Sequence, residues 1–316
     1  MRQPGKLLAL AVTLTSLTAL AGGSSGSLST YGLPNTNCQP NDITVAPDGN
    51  VWFTESSDTW GRVGRLDTKG KITEFPTPEY PDQIVVGSDG NIWFTMPAQP
   101  STIGRLTPAG VITVFTPPND GGYQSFPGDI TSGPDGNLWF TMGGKIFKMT
   151  TSGVFTEYAV TSSIYPNILG ITVGPDGALW FAEHQGNKIG RIDVAGNITE
   201  FGPVDQPHTI GAGPDGNVWF TMPASSTIGR ITPTGTITLF PLAGSPQPWN
   251  PVAGPDGNIW FTEYYGTKQL AKITPDGVVT EVQQVLGASG LARGVGNTLW
   301  ITQPTEYKIS KFTLAP

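Results

Sequence analysis

His184 and His208 are the only two imidazoles among the 316 residues of this chain. Imidazole titrates near neutral pH, so either side chain can act as a general base or bind a metal. His208 is the candidate base. Glu183 adjoins His184 and could orient an imidazole or hold a divalent ion. Glu55 and Glu263 occupy the place equivalent to Glu183, three residues beyond a tryptophan, and are candidate ligand contacts. Trp249 and Tyr264, with Tyr265, offer an aromatic wall for a ligand. Asp42, Asp82 and Asp129 form a third set. Carboxylates from several strands suit Ca²⁺ or Mg²⁺, and an aspartate at a strand start can equally satisfy free backbone amides. These residues are scattered along the chain, so any shared chemistry requires a fold that gathers them.

The elements that would do so are written as a repeat. APDGNVWFTE at 46–55 returns as GPDGNLWFTM at 133–142, GPDGALWFAE at 174–183, GPDGNVWFTM at 213–222 and GPDGNIWFTE at 254–263. Trp52, Trp93, Trp139, Trp180, Trp219, Trp260 and Trp300 are spaced by 41, 46, 41, 39, 41 and 40 residues. A period near forty indicates a solenoid, a propeller or an array. One unit, 210–240, holds four short apolar stretches separated by turn residues, with no helical period. Asp-Gly and Asn-Gly sequences supply the positive φ that hairpin turns require. Seven such units predict an all-β, seven-bladed β-propeller with four antiparallel strands per blade. The last unit ends on its third strand. Residues 28–34 resemble the fourth strands and are expected to complete it, which removes exposed sheet edges.

On this plan the Trp-Phe pairs fill the wedges between blades. Strand C carries Arg65, Arg105, Arg191 and Arg230, replaced elsewhere by Lys148, Lys272 and Lys311. Glu74, Glu157, Glu200 and Glu281 on strand D are their expected cross-strand partners. The A–B and C–D turns are monotonous and share one face. The B–C loops and D–A connections vary and share the other, where function is expected. The residues ahead of each strand A, from Asn41-Asp42 to Ser289-Gly290, should ring the channel.

Composition agrees with this plan. The chain is 37% hydrophobic and only 13% charged, with 42 glycines and 29 prolines. A net charge of −7 without a Lys/Arg cluster argues against a nucleic-acid surface. Arg2 and Lys6 precede an apolar run from Leu7 to Leu20, and Ala19 and Ala21 offer a small-x-small cleavage site. The expected organisation is a signal peptide at 1–21, a linker at 22–27 and one propeller domain at 28–316. The mature product is then secreted, monomeric and without a membrane span, and takes a small-molecule or peptide ligand on the variable face. Cys38 is the only cysteine, so no intramolecular disulfide forms.

The repeat text, GPDGNxWFTE followed by IGRIT and ITEF, closely resembles the streptogramin lyase (virginiamycin B lyase) family over residues 28–313. That resemblance implies a seven-bladed propeller. It also implies an enzyme that opens the ring of type B streptogramins by Mg²⁺-assisted elimination, with a histidine base. Family enzymes carry Pro-His before strand A of the sixth blade, Glu-Pro-His in the seventh, and a glutamate after strand B of the seventh. Here the sixth blade reads Gln247-Pro248-Trp249, and the seventh reads Ala288-Ser289-Gly290-Leu291. Gln303 and Pro304 follow its strand B. Only the fifth blade has a Pro-His, at Pro207-His208. Three readings follow: a lyase with a site shifted to His208, His184 and Glu183, a non-catalytic extracellular propeller that binds a ligand or a protein, or a metal-dependent lactonase-like hydrolase, whose expected carboxylate and Asn ligands are only partly met.

Overall fold

The computed structural model describes residues 26–57, 60–118, 126–160, 167–263 and 269–315. Their strands form seven four-stranded antiparallel sheets, the blades of a β-propeller. Six blades use consecutive strands, at 39–77, 84–115, 127–159, 168–201, 210–241 and 248–284. The seventh joins Leu291–Arg293, Thr298–Gln303 and Lys308–Leu314 to the N-terminal strand Gly26–Gly32. Leu28 lies opposite Phe312, and Gly32 opposite Lys308. The closing strand therefore starts two residues before the expected 28 and ends at Gly32. Strands are lettered A to D from the channel outward.

Strand B accounts for the repeated words. It is sandwiched between neighbouring blades and buried along its length, as in Ile92–Met96 and Leu138–Met142. Side chains alternate across a strand, so tryptophan and phenylalanine enter opposite wedges. Trp93 packs with Ile130 and Phe140 of the next blade, while Phe94 packs with Trp52 of the preceding one. Trp300 completes the circuit against Ile43, Val51 and Phe53 of the first blade. A buried indole N–H needs an acceptor. Trp93, Trp139, Trp180, Trp219 and Trp260 each donate to the turn aspartate four residues earlier, at 2.8–3.0 Å. Glycine precedes the turn because the same ring leaves no room: a Cβ on Gly254 would lie 2.1 Å from Trp260 Cδ1.

The strand C cations have other partners than expected. Arg65 faces Thr73 in the register, and Glu74 faces Gly64. The cation thus shares a face with tryptophan, not with the strand D glutamate. Arg191 pairs with the turn residue Asp176 at 2.7 Å, and Lys272 with Asp256 at 2.9 Å. Arg105 and Arg230 lie over the rings of Trp93 and Trp219, each 5.7 Å from the centroid. They reach on to carbonyls of the following blade, Thr151 at 3.3 Å and Pro275 at 2.7 Å. The strand D glutamates pair instead with cations at the loop end of strand C, as in Lys145–Glu157 at 2.6 Å and Lys188–Glu200 at 3.7 Å.

A second tie runs closer to the axis. In blades 1, 3, 6 and 7 the threonine two residues beyond the tryptophan donates to a carbonyl of the next blade. Thr54 accepts from the Asp42 amide at 3.0 Å and donates to the Asp82 carbonyl at 2.6 Å. Thr141 does the same between Asp129 and Leu169. Thr302 accepts from Gly290 at 2.7 Å and donates to Asn41 at 2.6 Å, across the seam where the ring closes. Cys38 lies fully buried beside this seam as a free thiol, with Arg62 Nη1 3.8 Å from its Sγ.

Without the Thr302 hydroxyl, the Gly290 N–H and the Asn41 carbonyl keep only their direct 3.2 Å bond to each other, and the lost hydrogen bonds cost about 0.5–1.5 kcal/mol each. Thr302→Val is therefore expected to lower the unfolding free energy by roughly that amount. Urea denaturation at unchanged m-value checks it; an unchanged midpoint would show that the seam does not depend on this hydroxyl.

Candidate functional site

A cavity of about 430 Å³ opens at the axis. It is lined by all seven pairs of residues at the head of strand A, with Asp42, Asp82, Asp129, His208 and Trp249 among them. Bulges set their orientation. The A–B register shifts between Pro40 and Ile43, Pro127 and Ile130, Ile168 and Ile171, and Trp249 and Val252. A bulge leaves residues out of the ladder and re-aims their side chains. Asn250, within the last of these, takes a left-handed φ of 48°. Its amide donates to Thr209 Oγ1 and its Nδ2 to the Ser289 carbonyl, each at 2.9 Å. This bulge carries Trp249 on the cavity wall.

His208 is fixed from both sides. Its N–H donates to the Thr221 carbonyl at 2.8 Å, and its carbonyl accepts from Gly170 N–H at 3.1 Å. Its ring lies 4.1 Å from that of Trp249 and 5.6 Å from that of His184, centroid to centroid. Burial, reinforced by the neighbouring His184, depresses its pKa to about 4, and its Nδ1 is buried without a hydrogen-bond partner. The ring is neutral at physiological pH. His184 stands behind it, outside the cavity wall, with Nδ1 3.3 Å from the Pro207 carbonyl.

The three aspartates share the opposite wall. Asp42 Oδ2 accepts from the Ile84 amide of the next blade at 2.9 Å. Asp129 accepts from Ile130 at 2.8 Å and from Ile171 of the next blade at 2.9 Å. Asp82 Oδ1 accepts from Asn41 Nδ2 and, at 3.4 Å, from Gln83 Nε2. Burial is the leading cause that lifts Asp42 to about 8, Asp129 to about 7 and Asp82 to about 6; neighbouring carboxylates add to the first two. Two of the three thus do the backbone work open to a strand-start aspartate.

The structure does not bring every sequence candidate to the cavity. Glu55, Glu183 and Glu263 are buried in the blade wedges and do not line it. They follow the threonine of strand B, or Ala182 in blade 4, so alternation turns them to the other side, where Met96, Met142 and Met222 sit in other blades. Neither oxygen of Glu55 has a hydrogen-bond partner, and burial raises its pKa to about 8. Tyr264 and Tyr265 lie outside the described residues. Sequence reasoning missed the threonine ties and the bulges; the recurring Trp-Phe-Thr was the available signal for the first.

Mg²⁺, implied by the resemblance, can be tested against the donors. Where family enzymes carry histidine and glutamate, this cavity presents the indole of Trp249 and the Ser289-Gly290 pair, and Gln303 is buried against Leu286 and Ser310. Among the described residues no three His, Cys, Asp or Glu are placed to hold a metal ion. This donor set does not fit the family's metal chemistry.

The raised carboxyls make stability depend on pH. Native Asp42, Asp82, Asp129 and Glu55 keep protons that the unfolded chain releases above about pH 4, so stability falls as pH rises from about 4 to about 8. His208 acts oppositely: stability is lost as pH falls from 6.5 towards 4. A higher melting temperature near pH 5 than near pH 8 is expected, with a smaller difference in Asp42→Asn. Calorimetry across this range decides; a melting temperature that rises towards pH 8 would contradict it.

Comparison with known proteins bears on this geometry. The pattern that defines the Virginiamycin B lyase family matches residues 9–249 and 202–315. A virginiamycin B lyase from Staphylococcus aureus is 35% identical, with a TM-score of 0.84 over 92% of this chain and 99% of that one. A catalytically inactive histidine-to-alanine form of the S. aureus enzyme, solved with quinupristin, is 34% identical with a TM-score of 0.83, covering 92% and 99%. A streptogramin B lyase structure is 34% identical with a TM-score of 0.82, covering 92% and 98%. No curated protein matches the chain. Family pattern, identity and coverage agree: this chain belongs to the Virginiamycin B lyase family.

Proposed function

We propose that this chain is a ligand-binding propeller that holds a small ring-bearing molecule at the channel mouth. The contact between Trp249 and His208 carries the reading. Trp249 stands where the family resemblance implies a histidine, and its ring lies against the one imidazole on the cavity wall. A flat aromatic surface with a few polar groups around it is the make-up of a small-molecule site, and 430 Å³ falls in the usual size range. A base of pKa about 4 has little drive to take a carbon-bound proton near neutral pH. Thr209 and Asn250 beside Trp249 and His208, and Gln83 across the cavity, supply hydrogen-bonding groups that can orient a peptide-like ligand.

The alternative is a lyase with His208 as base. Its support is the neutral state of the imidazole, which leaves the ring free of a proton to be displaced. The same proposal places the mature protein outside the cytoplasm, on the basic and apolar N-terminal segment. That segment lies outside the described residues.

Quinupristin, the molecule solved with the S. aureus relative, is the first probe. It is expected to remain intact on incubation with this protein and Mg²⁺, as followed by mass. It is expected to bind, with affinity reduced at least roughly tenfold in Trp249→Ala. Ring opening that disappears in His208→Ala would instead establish the lyase reading.

A further inference from the structure

We propose that the cavity selects a protonated amine attached to a ring, with the charge towards blades 1 to 3 and the ring against Trp249 and His208. This rests on the binding reading above and adds the charge of the ligand to it. The cavity wall is divided. Blades 1 to 3 contribute Asn41, Asp42, Asp82, Gln83 and Asp129, and among the described residues no lysine or arginine lines the cavity. Three carboxyls enclosed by protein without a cationic side chain on the wall are an unbalanced arrangement. Asp82 shows this most directly. Its Oδ1 takes both hydrogen bonds, from Asn41 and Gln83. No described residue donates to its Oδ2.

The carboxyls sense one another: Asp129 and Asp82 both act on Asp42, and Asp82 acts on Asp129. A ligand cation relieves that repulsion, whereas a carboxylate or phosphate ligand adds to it. Across the cavity, the half-buried Trp249 offers the aromatic face that best attracts a nearby cation or stacks on a ring. His208 beside it is uncharged and does not repel an ammonium group. A ring alone would satisfy the aromatic wall, and a bare cation the acidic one. Only a molecule with both uses the whole cavity.

The titratable groups facing such a ligand are Asp42, Asp82 and Asp129 from blades 1 to 3 and His208 from blade 5. Blades 4, 6 and 7 present Leu169, Gly170, Trp249, Asn250, Ser289 and Gly290, none of which titrates in this range. An amine therefore displaces protons from the aspartates, and its affinity rises with pH.

Three indoles that differ in charge form the test: tryptamine, neutral tryptophol and anionic indole-3-acetate, titrated calorimetrically into the full chain. Near pH 8, tryptamine is expected to bind roughly tenfold or more tighter than tryptophol, and indole-3-acetate weakest. The advantage of tryptamine should shrink near pH 5.5 and in Asp82→Asn, with Asp129→Asn as a second variant should the first fail to fold. If tryptophol or indole-3-acetate binds as well as tryptamine, and all are lost in Trp249→Ala, ring binding stands and the charge assignment falls. If none of the three binds, both fall.

Discussion

One buried hydroxyl, repeated around the axis, sets where the ends of the inner strands lie. In blades 1, 3 and 7 the strand B threonine takes the amide of its own strand A and gives its proton to a carbonyl of the next blade. In blade 6, Thr262 reaches Ser289 of the next blade in the same way. Net gains per bond are modest, but an unpaired buried amide is expensive, so the arrangement tolerates little drift. The cavity residues hang directly from these fixed points. Blade 4 cannot make this tie, because Ala182 has no hydroxyl to give. There the backbone itself spans the gap, from Gly170 N–H to the His208 carbonyl. A Cβ on Gly170 would sit 2.9 Å from that oxygen. The cavity's histidine thus stands at a step where a main-chain bond takes the place of the hydroxyl.

Much of the fold is legible in the sequence because one tryptophan per blade makes several demands at once. It needs an acceptor four residues back, a glycine just ahead of the turn, and apolar partners in the next blade. Each demand leaves a letter, and together they write the period. The strand Gly26–Gly32 was recognisable for a simpler reason: it has strand D character and no blade of its own. The site was less legible. Gathering the heads of strand A followed from the propeller plan, and the cavity lining agrees with it. The glutamates of strand B misled because variation among blades resembles specialisation. Glu55 and Met96 occupy the same wedge position, and only the parity of the strand tells which way they point. The charge pairs of strand C failed on the same point, since Arg65 and Glu74 are one residue out of phase.

Fold and chemistry part company at the cavity. This chain shares the architecture of the family over nearly its whole length, yet Trp249 and Ser289-Gly290 replace polar groups that the resemblance implies. What the cavity offers is an aromatic wall and a set of carboxyls that hold their protons unusually well. Near neutral pH much of that acidic wall is uncharged, and so is His208. The empty cavity is thus less polar than its residue types suggest. Function is carried by such local settings and not by the number of blades.

The closing blade has a consequence for biosynthesis. Strands of the first six blades find their partners among neighbours in sequence, and each sheet can assemble as it leaves the ribosome. Gly26–Gly32 cannot: its partner, Lys308–Leu314, is translated only after the six other blades. The nascent chain must carry this strand unmated while six blades are made, and the wheel locks only when the two strands meet.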